Sequence, residues 1–372
     1  MNKLPGLYIH IPFCKSKCPY CDFYSIVSSS LIDKFLDSIF IEMDFYKSFV
    51  KKIDTLYLGG GTPSILNKEQ IFKLIKNIKS KFKFTLNPEI TIEVNPDSIN
   101  LEKLKIYKEL GINRISVGVQ SFNDNELKFL KRIHNVKQSI NTLEQIRKVG
   151  FDNLNIDLMY GFENQTEKNW ENTLKQTMDF KPEHLSCYMM TIEKSTLFGK
   201  MLKQKKIKEL NEDFQCRLFI KTSEFLQENG YIHYEISNFA RPNFLSRHNT
   251  KYWNHIQYIG LGPAAHSFKK RKRWWNYKSI YKYCQNLRNN ILPVEDFEIL
   301  TKEQFILEKI YLGFRTKNGV EIKFLKINPK WETILEYLQK NKLVSVINDR
   351  VISTIKGFLI SDQLPLWFIN RV

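Results

Sequence analysis

The sequence predicts an α/β fold: a parallel sheet curved into a partial (β/α)6 barrel, followed by a smaller C-terminal α/β module of winged-helix-like outline. Two observations predict the barrel, namely six short apolar segments in the first half and capped helical stretches between them. A third, the loss of that alternation beyond about residue 195, predicts a change of architecture. At 372 residues the chain has room for roughly two to three domains and a large core. The expected divisions are 1–200, 201–295 and 296–372.

The six segments are Leu7–Phe13, Thr55–Leu58, Ile90–Val94, Arg114–Val119, Leu154–Met159 and His184–Met190. Each is short and rich in Ile, Val, Leu or Tyr, as buried parallel strands are. Between them, Leu31–Phe49 is apolar at Phe35, Ile39, Met43 and Tyr46, the spacing of a helix face. Asn67, with Glu69 and Gln70 close behind, opens a second helix. Leu101–Leu110 stops at Gly111 and Val136–Val149 at Gly150, as helices that end on glycine do. Further on, Asn211–Gly230 reads as one long helix, and Tyr231–Phe268 is rich in aromatics, Asn and His with little periodicity. The tail predicts helices at Glu303–Leu312 and Lys330–Asn341, then a hairpin of Leu343–Ile347 and Val351–Thr354 around Asn348-Asp349.

Six cysteines are present, and three crowd into eight residues: Cys14, Cys18 and Cys21, directly after the first strand. In a βα architecture this loop lies at the C-terminal end of the sheet, where active sites form. Three thiolates at these spacings can wrap a cubane iron–sulfur cluster and leave one of its four irons open. A structural zinc site would need a fourth ligand, and no second CxxC pair exists to give it. Cys187, Cys216 and Cys284 stand singly and read as free thiols of a reducing compartment. Met1–Pro5 leads at once into polar, cysteine-rich sequence, with no apolar core of a signal peptide. No apolar run reaches the ~18 residues of a membrane span. A cytoplasmic protein is expected.

The formal net charge is +18, from 57 basic and 39 acidic residues. Lysines are spread along most helices, so the excess reads as compositional. The one dense run, Lys269–Arg273 followed by Trp274 and Trp275, is expected to be a solvated or ligand-facing loop rather than an RNA grip. Nucleic acid is not an expected partner.

The CxxxCxxC spacing resembles the signature of the radical S-adenosylmethionine (SAM) superfamily. The resemblance implies a [4Fe–4S] cluster on Cys14, Cys18 and Cys21 and SAM bound beside it. It continues through Gly60, Gly61 and Thr62 of the Gly59–Pro63 turn, whose glycines are expected to let backbone N–H groups approach SAM. Glu93, Gln120, Arg132 and Asp157 match further SAM contacts, and Tyr8, ahead of the cysteines, and Tyr20, between Cys18 and Cys21, join them as expected cofactor-binding residues. No catalytic residue is assigned.

Over nearly its whole length, as far as Gly357–Asp362, the chain is similar to the oxygen-independent coproporphyrinogen III oxidase group. Three features incline it to the haem-chaperone branch of that group. Phe23 stands where the oxidases have a fourth cysteine; Cys14 comes too early for their N-terminal extension; and His248-Asn249-Thr250-Lys251-Tyr252-Trp253 contains the HNxxYW pattern that the resemblance associates with haem. It implies His248 as axial ligand, Tyr252 and Trp253 as flat apolar area, and Arg241, Arg247 and Lys251 as partners for propionates. His266, in Gly262–Ser267, is a second imidazole for which a structural role is expected, and His10 is expected to pack or hydrogen-bond near the cluster. The expected function is a carrier that binds haem and passes it to an acceptor haemoprotein, one of a respiratory chain. A homodimer and peripheral contact with an anionic membrane are compatible with it. The alternatives are radical decarboxylation of coproporphyrinogen III and, more remotely, RNA modification.

Overall fold

A computed structural model describes residues 4–369 of the chain. All six expected strands form, as β1 (Gly6–Ile11), β2 (Ile53–Gly60), β3 (Phe84–Val94), β4 (Arg114–Gln120), β5 (Leu154–Tyr160) and β6 (His184–Met189), and they pair in that order, parallel throughout. The helices between them are α1 (Ile32–Tyr46), α2 (Lys68–Lys81), α3 (Leu101–Glu109), α4 (Asp124–Phe129), α5 (Val136–Val149) and α6 (Glu167–Asp179). The punctuation expected of them is present. Asn67 and Gln70 form a reciprocal capping box before α2, and Gly150 closes α5 at φ 86°.

Successive residues of a strand point to opposite faces, and here the two faces differ. Leu56, Leu58, Ile115, Val117, Ile156 and Leu158 face the helices and are buried there in the main core. Their alternates, Arg114, Ser116, Asn155, Asp157, His184 and Ser186, line the concave inner face. The barrel therefore encloses a polar chamber.

After α7 (Leu197–Lys203) and α8 (Glu212–Glu228), the aromatic-rich segment extends this same sheet at both ends. β7 (Ile232–Glu235) and β8 (Asn238–Ala240) add antiparallel beyond β6. The short helix α9 (Asn249–Trp253) crosses to the other end, where β9 (Tyr258–Leu261) pairs parallel with β1. β10 (His266–Lys269), β11 (Lys272–Asn276) and, after α10 (Ile280–Arg288), β12 (Val294–Ile299) follow antiparallel. The described residues thus build one twelve-stranded sheet, an open barrel with two flaps. Gly262 makes the β9 exit possible: at φ 102° a Cβ there would lie 2.3 Å from the His10 carbonyl oxygen. The basic run Lys269–Arg273 is the β10–β11 hairpin, turning at Lys270 (φ 61°). Lys269 sits 3.6 Å above the Phe49 ring, Lys272 lies over Phe297, and Arg271 donates to the Leu300 carbonyl. Much of its charge is committed within the molecule.

The tail has its own core of Ile310, Phe314, Leu325, Leu338, Val351 and Phe368. It comprises α11 (Lys302–Phe314), β13 (Val320–Glu321), α12 (Ile322–Leu325), α13 (Trp331–Lys340), β14 (Val344–Ile347), β15 (Arg350–Ser353), α14 (Ile355–Leu359) and α15 (Leu364–Ile369), with sheet order β13-β15-β14. Three helices and a hairpin wing in this order are those of a winged helix. The wing turns at Asn348 (φ 47°) and Asp349 (φ 58°), the left-handed pair that a two-residue hairpin demands. No helix among the described residues is long and apolar enough to cross a membrane.

Candidate functional site

The cysteine loop leaves the C-terminal end of β1 and is held at its neck by two backbone hydrogen bonds, Cys14 N to Ile26 O (3.0 Å) and Ile26 N to Pro12 O (2.8 Å). Cys21 N reaches back to Cys18 O, 3.2 Å away, so Cys18 and Cys21 share one turn. All three thiols are free and half-buried, and they line one cavity of about 430 Å³ at the barrel mouth. Thr62 Oγ1 donates to Cys14 Sγ (3.5 Å) and the Arg132 guanidinium to Cys18 Sγ (3.3 Å). Donors and a permanent cation aimed at sulfur are what a negatively charged thiolate set needs. Among the described residues no three His, Cys, Asp or Glu side chains converge on a single ion. A cubane offers its irons at separate corners, so three cysteines around a common cavity suit a cluster better than a lone zinc.

Tyr20, Gly60, Gly61, Thr62, Glu93, Gln120, Arg132 and Asp157 line the same cavity. Residues from six strands and loops, scattered between positions 14 and 157, are brought together as expected. Glu93 is half-buried in the cavity wall, accepts from Tyr57 Oη (2.8 Å) and Gly60 N (3.2 Å), and is pushed up to about 7 by desolvation and then by Asp157. Asp157 is also raised, by burial first, although Asn155 and Ser116 donate to it at 2.8 and 3.0 Å. Gln120 holds φ 69° at a bulge in β4, an unusual backbone for a residue with a side chain, and this turns it to the cavity. Arg132 also donates to Asn95 (2.7 Å) and the Gly118 carbonyl (3.0 Å), which fixes its fork.

Two expectations need correction. The glycine turn does not offer its N–H groups to a ligand. Gly60 N goes to Glu93, Gly61 N to Ile11 O (2.9 Å) and Thr62 N to Phe13 O (2.7 Å). A Cβ on Gly61 would lie 2.7 Å from Phe13 O, so glycine is needed for the turn to clamp the cysteine loop. Tyr8 is absent from the cavity wall. Its hydroxyl pairs with His10 Nδ1 (3.1 Å), and its ring lies between His10 and His248. His10, also bonded to the Tyr24 carbonyl (2.8 Å), packs beside the cluster loop as expected.

Sequence reasoning missed Arg114, Tyr57, Asn95, Ser116, Asn155 and Ser186, which also line the chamber. Arg114 is only 1% exposed, and its Nε and Nη1 have no hydrogen-bond partner. The signal was available: Arg114-x-Ser116-x-Gly118-x-Gln120, Asn155-x-Asp157 and His184-x-Ser186 alternate polar residues through strands that otherwise read as continuous apolar runs.

His248 lies elsewhere. It is fully buried at the floor of the barrel, Nδ1 against Thr55 Oγ1 and Nε2 against Tyr252 Oη, each at 2.8 Å. Burial, then Lys251 and Arg114, pushes it down to about 3, so the ring is neutral. Glu89 accepts from the backbone N–H of both Arg247 (2.9 Å) and His248 (2.8 Å), and buried Lys251 pairs with Asp54 (2.7 Å) and Leu4 O. The HNxxYW segment is thus a plug closing the barrel from below. The structure departs here from an open axial ligand, because iron could reach Nε2 only by displacing Tyr252. The expected propionate partners are likewise engaged. Lys251 is buried, Arg247 bonds Asn87 O and Asp54, and Arg241 stacks over Tyr231.

A parallel half-barrel with three cysteines after β1 defines a radical SAM protein. The sequence model of the Radical SAM superfamily matches residues 8–177. The solved coproporphyrinogen III oxidase (HemN) from Escherichia coli, a radical SAM enzyme, is 26% identical, with a TM-score of 0.83 over 99% of this chain and 91% of that one. The heme chaperone HemW of Lactococcus lactis is 32% identical over 98% of this chain and 97% of its own length. HemW of Bacillus subtilis is 32% identical over 99% and 100%, and that of Buchnera aphidicola subsp. Acyrthosiphon pisum 38% over 98% and 94%. The chain belongs to the heme chaperone HemW family, and its radical SAM domain carries with it a [4Fe–4S] cluster and SAM.

Proposed function

We propose that this chain is a cytoplasmic haem carrier: it binds haem and delivers it to an acceptor haemoprotein, with the cluster on Cys14, Cys18 and Cys21 and SAM beside it. The observation that supports this most is the likeness to relatives named heme chaperones, which covers 98 and 99% of the chain. Phe23, 67% exposed at the cavity rim where a fourth cysteine would mark the oxidases, agrees with it. A bound cluster supplies an open iron and a reductant for SAM. Around it, Arg132 balances thiolate charge, Glu93 is the acid for an ammonium group, and Asp157 and Gln120 offer an acceptor and an amide for hydroxyls. Residues 1–200 hold these cofactors, 201–295 carry the haem, and 296–372 close over that segment. The acceptor is a respiratory haemoprotein, met by a homodimer at an anionic membrane surface.

The likeness to HemN favours a second reading, oxidative decarboxylation of coproporphyrinogen III. One anaerobic experiment separates them. The reconstituted protein is given SAM, reductant and coproporphyrinogen III, and in parallel haem followed by an apo-haemoprotein. The carrier reading expects haem transfer without porphyrinogen-dependent 5′-deoxyadenosine. Accumulation of 5′-deoxyadenosine with loss of propionate carboxyls would establish the oxidase instead.

A further inference from the structure

We propose that the barrel chamber takes a second small molecule besides SAM, a singly charged carboxylate held on its floor by Arg114 and Asn249. This is independent of the haem-carrier reading. It starts from a guanidinium with no partner. Arg114 is 1% exposed and lines the chamber, yet its side chain makes no hydrogen bond and no ion pair among the described residues. Two half-buried arginines show the contrast. Arg132 donates to Cys18, Tyr20, Asn95 and the Gly118 carbonyl, and Arg147 to Glu183 and three backbone carbonyls. A permanent cation taken out of water with nothing opposite it is costly, and an anion that arrives from outside removes that cost.

Strand geometry separates Arg114 from the cysteine end of the chamber. Arg114, Ser116, Gly118 and Gln120 alternate along the inner face of β4, so Arg114 stands ~13 Å below Gly118, the residue to which Arg132 is anchored beside Cys18. Glu93 pairs with Ser116, one step above Arg114, and Asp157 with Gly118, two steps above. Desolvation raises both carboxyls, and Arg114 offsets that only weakly, so neither is its counter-ion. They do set the charge of what can enter. With two carboxyls above one guanidinium, the floor suits a monoanion whose two planar oxygens meet the guanidinium fork, and it disfavours a dianion.

The plug supplies the second group. Asn249, the residue after His248, lines the same chamber, and its side-chain amide makes no hydrogen bond among the described residues. An amide N–H beside a guanidinium completes a donor set for one carboxylate. The asparagine of HNxxYW thus serves the chamber, while the histidine before it closes the floor. At about 430 Å³ the chamber is the size of one drug-like ligand site, so beneath SAM there is room for a small molecule and not for a macrocycle. SAM brings a sulfonium charge into the same space, so the two ligands favour each other, by the same factor in both directions.

The test is calorimetric titration of sodium acetate, and separately of sodium sulfate, into the cluster-reconstituted full-length protein in chloride-free buffer. It is run with and without saturating SAM, on wild type, Arg114→Met and Asn249→Ala. Cluster absorbance and a cooperative melt check that each variant is folded. The proposal expects saturable one-to-one acetate binding in wild type, tightened by SAM and not matched by sulfate. It expects a loss of at least about tenfold in Arg114→Met and a smaller loss in Asn249→Ala. Arg114→Met should also melt at or above the wild-type temperature, because it removes a buried charge that the unliganded fold leaves unpaired. A melt well below wild type would make the guanidinium structural and overturn the proposal. Acetate that competes with SAM would give Arg114 to SAM's own carboxylate, and acetate that binds no tighter with SAM would place the anion elsewhere; either overturns it. Sulfate binding as tight as acetate, or full acetate affinity in either variant, does the same. Wild type that binds no acetate overturns it outright and leaves the haem-carrier reading untouched.

Discussion

Glu93 sets the chemistry of the cavity through its burial. A carboxyl raised to about 7 is protonated below that pH, and its negative charge is available only above it. SAM carries an ammonium group, so binding it against Glu93 requires the proton to leave. SAM affinity is therefore expected to rise by up to about tenfold per unit as pH increases toward 7, and then to level off. Glu93→Gln flattens that profile. Equilibrium dialysis of SAM against the reconstituted protein checks this, and an equally steep profile in the variant would contradict it. The cysteines give a simpler contrast. Cys18→Ala abolishes the visible absorbance of a reconstituted cluster, whereas Cys284→Ala, whose thiol is buried against α1 and raised by that burial, leaves it intact.

At the scale of elements, two polar devices bind the extension to the barrel. Glu89 caps α9 from β3, a contact made across 158 and 159 residues of sequence. Glu89→Ala leaves two N–H donors unpaired at the barrel floor and is expected to lower stability by about 2 kcal/mol, read as a drop in denaturation midpoint. Glu42 of α1 is the second. It is buried and accepts from Gly262 N (2.9 Å), Asn276 (2.6 Å) and Tyr283 (2.6 Å), joining α1 to β9, β11 and α10. Burial outweighs these donors and raises it from 4.5 to about 7. A raised acid stabilises the fold fully below its unfolded value, and that stability is lost as pH climbs from 4.5 to about 7. Wild type should therefore lose on the order of 3 kcal/mol more across that window than Glu42→Gln, measured as melting temperature against pH. Parallel slopes would contradict it. The same elements mark where sequence reading stops. The six βα units were legible because each strand buries a full apolar face and each helix carries its own caps. The strands β7 to β11 were not: they are three to five residues long, and the two that join them to the barrel, β8 and β9, pair with β6 and β1, far away in sequence. The α9 plug was hidden for the same reason, since a histidine that closes a barrel floor and one that binds iron look alike until Glu89 and Thr55 are seen beside it.

For the whole molecule, the cofactor chamber and the lateral cleft beside α11 lie on one continuous inner face of the twelve-stranded sheet, with Tyr8, His248 and Tyr252 between them. The winged-helix tail contributes α11 to the cleft and is stitched to the sheet by Lys317 N to Tyr234 O (2.9 Å) and Ile236 N to Arg315 O (3.2 Å). The +18 charge is distributed along the chain and is partly spent in internal contacts such as those of the Lys269–Arg273 hairpin. The most direct test of the central claim is the stoichiometry of haem uptake by the wild-type, cluster-reconstituted chain under anaerobic conditions. The account predicts a saturable Soret titration ending at one haem per chain. A linear, unsaturable rise, or saturation well below one, would contradict it.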